Sequence, residues 1–368
     1  MHPSPLHARF EQADAAMMSF GDLAIVAMHD AVETEYGRLR NGAAVMDCPH
    51  RALLRLTGND RTAFVHGILT GDVNTMAVGD ARRMLLLTAQ GRIMADLVVI
   101  QREDRTLIDV DRADAAALAA EFDKLLFSED VTVADHSDTD HRISLHGPEA
   151  WDTLNALSSA TLEPLEPGRS GDVQLAGIEA VAIGTDTCGV AGVDLWLAGD
   201  RVAALWDAIA PAVRYGADPP PRDATVRPLG WLAFNIARIE AFAPLFHVDF
   251  GPDSLPGETG IVDRLVSFTK GCYRGQEVVA RMNDRGHPAK LIVPFESDGE
   301  LLPAAGSPLH DQPHGPVVGA VTSSTLSPLR SGKPIGLAMV KWGLHEPGTS
   351  LHAPAEGQTV AVTVTARP

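Results

Sequence analysis

The strongest constraint on the fold of this chain is a short grammar that occurs twice. Leu54-Arg55-Leu56-Thr57-Gly58-Asn59-Asp60 and Ile143-Ser144-Leu145-His146-Gly147-Pro148-Glu149 both read as a short strand, a glycine turn and the start of a helix. Asn59 or Asp60 can cap the first helix, and Pro148 suits the first turn of the second. A repeat of this kind predicts two related units. The 368 residues also exceed what one ordinary core accommodates.

The residues after each copy extend the match. The first copy leads into the strands "RRMLLLT", "IMADLVVI" and "TLIDV", separated by the turns "AQGR" and "QREDR". A helix from about Asp111 to Phe127, with Leu118, Phe122 and Leu125 on one face, and the strand "VTV" close that unit. The second copy leads into "EAVAI", "VDLWL" and a helix from near Asp200 whose apolar face is Val202, Leu205, Trp206 and Ile209. Both halves therefore read strand–helix–strand–strand–helix, an α+β class, joined through the Gly/Pro stretch "EPLEPGRSGD". "GADPPPRDATVRP" reads as a surface loop leading into an apolar helix, "LGWLAFNIARIEA". From Leu291 the texture changes to short strands between Gly and Pro turns, the pattern of a small antiparallel barrel. The expected domains are 1–140 with an N-terminal extension, 141–290, and 291–368.

Charge narrows the partners. Lys and Arg total 30 against 48 Asp and Glu, a net charge of −18 that repels nucleic acid and acidic membranes unless a local patch overrides it. No apolar run reaches the length of a membrane span, and "MHPSPLHARFEQADAAMMSF" lacks the features of a signal or transit peptide. Cys48, Cys188 and Cys272 form no CxxC pair and no even disulfide framework, which points to reduced, cytoplasmic thiols. Cys48 and Cys188 read as small buried hydrophobes in apolar surroundings. His29, His66, His136, His141 and His146 show no paired ligand spacing and read as surface or capping residues.

One stretch stands out, "KGCYRGQE" at 270–277. Upstream, "GIVDRLVSF" alternates like a strand; downstream, "QEVVARM" reads as a helix. Gly271 and Gly275 let the connecting backbone turn tightly or approach a ligand, and Gln276 and Glu277 suit a first helical turn. Cys272 then sits just before a helix N-terminus with Lys270 and Arg274 nearby, a setting that favours thiolate. Composition alone leaves an inert structural turn as the alternative. Arg264, Lys270, Arg274, Arg281, Arg285 and Lys290 oppose only Glu277 and Asp284 here, a basic patch suited to an anionic ligand.

"KGCYRGQEVVARMNDRG" resembles the Lys-Gly-Cys-Tyr-x-Gly-Gln-Glu motif of the YgfZ family, folate-binding proteins related to the aminomethyltransferase (T-protein) of the glycine cleavage system. Weaker matches occur in the family's order: "LRLTGNDRTAFVHGILTGDV", "QGRIMADLVVI", "CGVAGVDLWL", "ARIEAFAPLFHVDF" and "GAVTSSTLSPLRSGKPIGLAMV". The resemblance implies three domains in a ring around a channel that binds tetrahydrofolate or a related reduced folate. It also implies a role in assembly or repair of iron–sulfur enzymes, including one that thiolates tRNA.

By the same resemblance Asp194 takes the place of the pterin-binding glutamate, one carbon shorter. Asp96 matches the second member of an Asp-Asp pair beside the folate nitrogens, the first being Ala95. Asp111 falls where the T-protein has a folate-contacting asparagine. Cys272 and Asp96 are the candidate catalytic residues. Asp96, Asp194, Asp111, Lys270, Tyr273, Arg274, Gln276, Glu277 and Arg238 are the candidate folate contacts; Arg238 could instead pair with Glu240 or a buried carboxylate. No metal site, membrane contact or direct nucleic-acid contact is expected. Three functions stay open: a folate-binding accessory protein, a folate-dependent aminomethyltransferase, and a scaffold that has lost its ligand.

Overall fold

The structure is a computed structural model, and it describes residues 4–210 and 226–368, apart from the side chain of Arg285. Residues 216–225 of the expected surface loop "GADPPPRDATVRP" lie outside the described residues; its last three, Val226–Pro228, form a strand.

The chain opens with α1 (His7–Gln12), a hairpin of β1 (Ala16–Phe20) and β2 (Leu23–Met28), α2 (Val32–Asn41) and β3 (Ala43–Asp47). The first repeat comes next: β4 (Arg51–Thr57), α3 (Arg61–Ile68), β5 (Ala81–Leu87), β6 (Ile93–Gln101), β7 (Thr106–Asp111), α4 (Arg112–Leu125) and β8 (Thr132–Asp135). The second is β9 (Asp140–His146), α5 (Ala150–Leu157), β10 (Ser170–Leu175), β11 (Ile178–Thr185), β12 (Gly192–Ala198) and α6 (Val202–Ile209). After β13 (Val226–Pro228) come α7 (Trp231–Glu240), the short α8 (Val262–Leu265) and α9 (Gln276–Arg285).

The repeat holds at the level of topology. One sheet runs β5-β6-β7-β4-β8; the other runs β10-β11-β12-β9-β3-β13, so equivalent strands occupy equivalent places. Gly58 and Gly147, matched in sequence, both take positive φ (103° and 125°), which only glycine adopts freely. Each half has three strands between its helices. In the second half the extra strand is β10, whose start overlaps the stretch expected to be a linker. "EPLEPGRSGD" therefore does not join the halves: it lies inside the second, between α5 and β11. Edge pairing with β11 supplies the ladder that its own Gly and Asp do not favour.

A further correction concerns "GIVDRLVSF", which is not a strand. Ile261, Val262, Leu265 and Val266 fall at i, i+1, i+4 and i+5, and α8 turns them onto one apolar cluster.

The residues divide into two compact units. The first is drawn from Met1–Val65, Val73–Arg83 and Leu97–Phe234. In it the odd-numbered residues of β9 and β12 (Ile143, Leu145, Val193, Leu195, Leu197) pack beneath α1, α5 and α6. The opposite face of this sheet meets the first sheet through Leu53, Ala81, Ile100, Leu107, Ile183 and Trp196. The second unit is drawn from His66–Asp72, Met84–Asp96 and Asn235–Pro368.

That second unit holds a closed antiparallel barrel, β14 (Lys290–Ser297), β15 (Pro308–His310), β16 (Val317–Ser327), β17 (Lys333–Lys341), β18 (Ser350–Ala355) and β19 (Gln358–Val364), in the order β14-β17-β16-β15-β18-β19. Its apolar cluster of Leu85, Leu87, Ile93, Phe242, Leu265, Tyr273, Val279 and Ile292 seats the cysteine segment. Among the described residues no helix is long and apolar enough to cross a membrane.

Candidate functional site

The cysteine segment is a turn held at both ends. Gly275 caps α9 in the left-handed region, with φ of 80°, and the Gln276 N–H donates to the Tyr273 carbonyl at 3.2 Å. The Tyr273 ring is buried in the apolar cluster, and burial pushes its hydroxyl up to about 12. Gly271 and Cys272, between Lys270 and Tyr273, are exposed. Arg274 and Gln276 are half-buried and Glu277 is exposed in the first turn of α9.

Lys270 departs from expectation. Its ammonium is buried and donates to the carbonyls of His66, Leu69 (2.5 Å) and Gly71 (3.1 Å), where α3 ends. It also lies 5.1 Å from the Tyr273 ring centroid. Three carbonyls, in the last turn of α3 and just past its end, outcompete a thiol for a cation. Lys270 therefore anchors the turn instead of serving the sulfur, and it leaves the exposed basic patch. Burial brings it down to about 8, with Asp72 opposing.

In the first unit Asp194 belongs to a polar seam between the two sheets. β9 pairs antiparallel with β12 so that Ser144 faces Asp194 and Arg142 faces Trp196. Ser144 Oγ donates to Asp194 Oδ1 at 2.5 Å, and Arg142 Nη2 reaches the same oxygen at 3.2 Å. Arg142 Nη1 also donates to Asp109 Oδ2 at 2.7 Å, joined there by Trp196 Nε1 at 3.0 Å. Arg51 closes the seam on Asp109 Oδ1 at 2.7–2.8 Å. Burial alone would raise Asp109, but the guanidinium groups of Arg51 and Arg142 hold it below the usual carboxylate range.

Cys48 lies in this seam, not in apolar surroundings. Its thiol is 3.3 Å from Ser144 Oγ, and burial pushes it up to about 11. His141 and His146 are buried rather than superficial, at 5 % and 2 % exposure. His141 Nε2 meets Asp47 Oδ1 at 2.6 Å.

The other predicted site residues are dispersed. Asp111 is the N-cap of α4, accepting from the Ala113 N–H at 3.2 Å. Asp96 is buried on β6, in the second unit with the cysteine turn. Arg238 meets a buried carboxylate, Asp249 Oδ2, at 2.6 Å with both side chains wholly buried; Glu240 instead accepts from Ser327. Arg142, Ser144, His146 and Asp109 carry no site signal in the sequence beyond the polar stripe Arg142, Ser144, His146 at alternate positions. Such a stripe usually marks a solvated face. Among the described residues no cluster of His, Cys, Asp or Glu could hold a metal ion.

Comparison with known proteins adds a family context. Residues 6–270 match the GCVT N-terminal domain, and residues 290–368 match the glycine cleavage T-protein C-terminal barrel domain. The chain is 26 % identical over 367 residues to an aminomethyltransferase of Shouchella clausii, covering 99 % of this chain and 96 % of the relative. It is 28 % identical over 377 residues to a probable aminomethyltransferase of Halobacterium salinarum, covering 99 % and 95 %. The solved glycine cleavage system aminomethyltransferase T from Bartonella henselae shares the fold, with a TM-score of 0.88 at 22 % identity, covering 100 % of this chain and 97 % of that one.

Proposed function

Because the chain belongs to the glycine cleavage T-protein family, we propose that it binds a reduced folate such as tetrahydrofolate and acts, as YgfZ proteins do, as an accessory factor for iron–sulfur enzymes with Cys272 as its working thiol. The observation that carries this reading is the presentation of Cys272: an exposed thiol on a turn whose ends, Lys270 and Tyr273, are buried and anchored. Asp194 is proposed as the pterin carboxylate and Asp96 as the acidic group beside the folate nitrogens. A flat, polar heterocycle suits the residues present. Arg142 Nε is buried with no hydrogen-bond partner, and the His146 ring makes no hydrogen bond among the described residues; such polar groups are costly unless something meets them. Arg274 and Gln276, half-buried beside the thiol, and Glu277 on the first turn of α9 are proposed to line the approach to Cys272. The proteins served are iron–sulfur enzymes, with a cytoplasmic setting.

Two measurements test this. Calorimetry with tetrahydrofolate should show binding by the purified chain, and Asp194→Ala or Asp96→Ala should weaken it by about 1–3 kcal/mol. A Cys272→Ser chain should fold and bind folate yet fail to restore iron–sulfur enzyme activity in cells lacking the protein. Normal rescue by that variant would overturn the accessory reading.

A second reading, aminomethyl transfer, is favoured by the full-length match to aminomethyltransferases. Ala95 and Asp111 in place of the T-protein's aspartate and asparagine argue against it. Methylene-tetrahydrofolate production at full rate with the remaining glycine-cleavage components would establish it.

A further inference from the structure

We propose that the imidazole of His146 reads the 4-oxo group of the bound pterin, and so decides which reduced heterocycles the protein accepts. This rests on the folate reading above. The first support is register. β9 and β12 run antiparallel with His146 opposite Gly192 and Ser144 opposite Asp194, so His146 and Asp194 are diagonal neighbours on one face. Such neighbours stand about 7–8 Å apart at Cα, a span bridged by the edge of one heterocycle.

His146 is 2 % exposed, and its two nitrogens are not equivalent. Nδ1 is sealed against the backbone: a Cβ built on Gly192 would lie 2.7 Å from it, so glycine at 192 is what lets the ring sit there. Nδ1 has no hydrogen-bond partner, and the ring forms no other hydrogen bond among the described residues. Burial lowers this histidine to about 4, with Arg142 assisting and Asp194 opposing, so it is neutral at pH 7. A proton on Nδ1 would meet no acceptor. The single ring proton is therefore best placed on Nε2, which becomes a neutral donor awaiting an acceptor. Phe234 flanks the ring, centroids 5.9 Å apart.

Asp194 supplies the complementary half. Its bonds to Ser144 and Arg142 both meet Oδ1, which leaves Oδ2 to accept. A 2-amino-4-oxopyrimidine edge presents two N–H donors and then a carbonyl oxygen. Asp194 takes the donors, and His146 donates to the oxygen. A 4-amino analogue would set its own donor against the histidine N–H, a mismatch that costs affinity because neither group regains water.

The test is calorimetry with 5-formyltetrahydrofolate and its 4-amino counterpart on the unmodified chain, His146→Gln and His146→Leu. The unmodified chain should favour the 4-oxo ligand. His146→Leu should lose about tenfold of that preference, the size of one uncharged hydrogen bond, and His146→Gln, whose amide still donates, should keep most of it. The ratio is taken within each variant, so partial unfolding cancels. A leucine variant with the unmodified ratio overturns the inference while leaving folate binding intact. An unmodified chain that binds neither ligand overturns the folate reading and the inference with it.

Discussion

Gly275 and Gly91 lie backbone against backbone. A Cβ on Gly275 would stand 2.5 Å from the Thr88 carbonyl oxygen and 3.0 Å from Gly91 Cα. A Cβ on Gly91 would stand 2.9 Å from Val278 Cβ, and both glycines have positive φ, 80° and 75°. The start of α9, and with it the cysteine turn, is thus fitted against the Thr88–Gly91 turn by two residues that have no side chain. Gly271 is different: a Cβ there meets nothing within 4 Å.

The two glycines of the cysteine motif should therefore respond differently to alanine. Gly275→Ala should lose about 2–4 kcal/mol, combining left-handed strain with a backbone clash, whereas Gly271→Ala should stay within about 0.5 kcal/mol. Urea unfolding midpoints decide it. Equal losses at both positions would mean that the close approach is not what holds the turn.

Lys270→Met should cost about 2–3 kcal/mol, because it strands buried carbonyls at the end of α3. Hydrogen exchange should show faster opening of residues 267–275 than in the unmodified chain. Loss of thiol reactivity with unchanged stability would instead assign the lysine to the sulfur.

Arg238→Met should cost about 3–5 kcal/mol by leaving Asp249 buried with no counter-charge. Asp249 would still accept from Thr322 and Ser323, at 2.8 and 2.6 Å, and from the Leu245 N–H at 2.9 Å. These neutral donors soften the loss without replacing the ion pair. Thermal unfolding measures it.

Acid should destabilise the fold through its buried neutral histidines. Burial lowers His146 to about 4 and His50 well below the ordinary value, the latter with Arg51 and Arg142 assisting and Asp109 opposing. Between the folded values and about 6.5 the unfolded chain binds the extra protons, so stability is full above pH 6.5 and falls as pH drops through that window. Each histidine contributes a slope of about 1.4 kcal/mol per pH unit. Urea midpoints from pH 7.5 to 5 should show this fall, and His146→Gln should remove about one proton's share of it.

Cys272 should be alkylated before the other thiols. It is exposed, whereas Cys48 and Cys188 are buried, and Cys48 is further silenced by its raised value of about 11. Mass mapping after one equivalent of iodoacetamide at pH 7.5 should find the adduct at Cys272. An adduct on Cys48 would contradict the burial of the seam.

Local rules account for much of the fold. The strand–glycine–helix repeat, the helix from Asp111, the apolar face of α6, the helix after "KGCYRGQE" and the C-terminal barrel are all short-range patterns, set by periodicity, caps and turn residues. The edge strand β10 was not legible, because its stability comes from pairing with β11 and not from its own composition. Nor was the placement of β3, which joins the sheet of the second repeat and lies between β9 and β13. The site divides in the same way. That Cys272 stands on a turn before a helix was legible from Gly271, Gly275 and Gln276 within a few residues of it. The direction taken by Lys270 depended on carbonyls about 200 positions away, and the meaning of Arg142, Ser144 and His146 depended on whether a second sheet covered their face. A polar stripe reads alike in water and in a buried seam; only tertiary packing, by removing the water, turned that stripe into an ion-paired network with a histidine left unmatched.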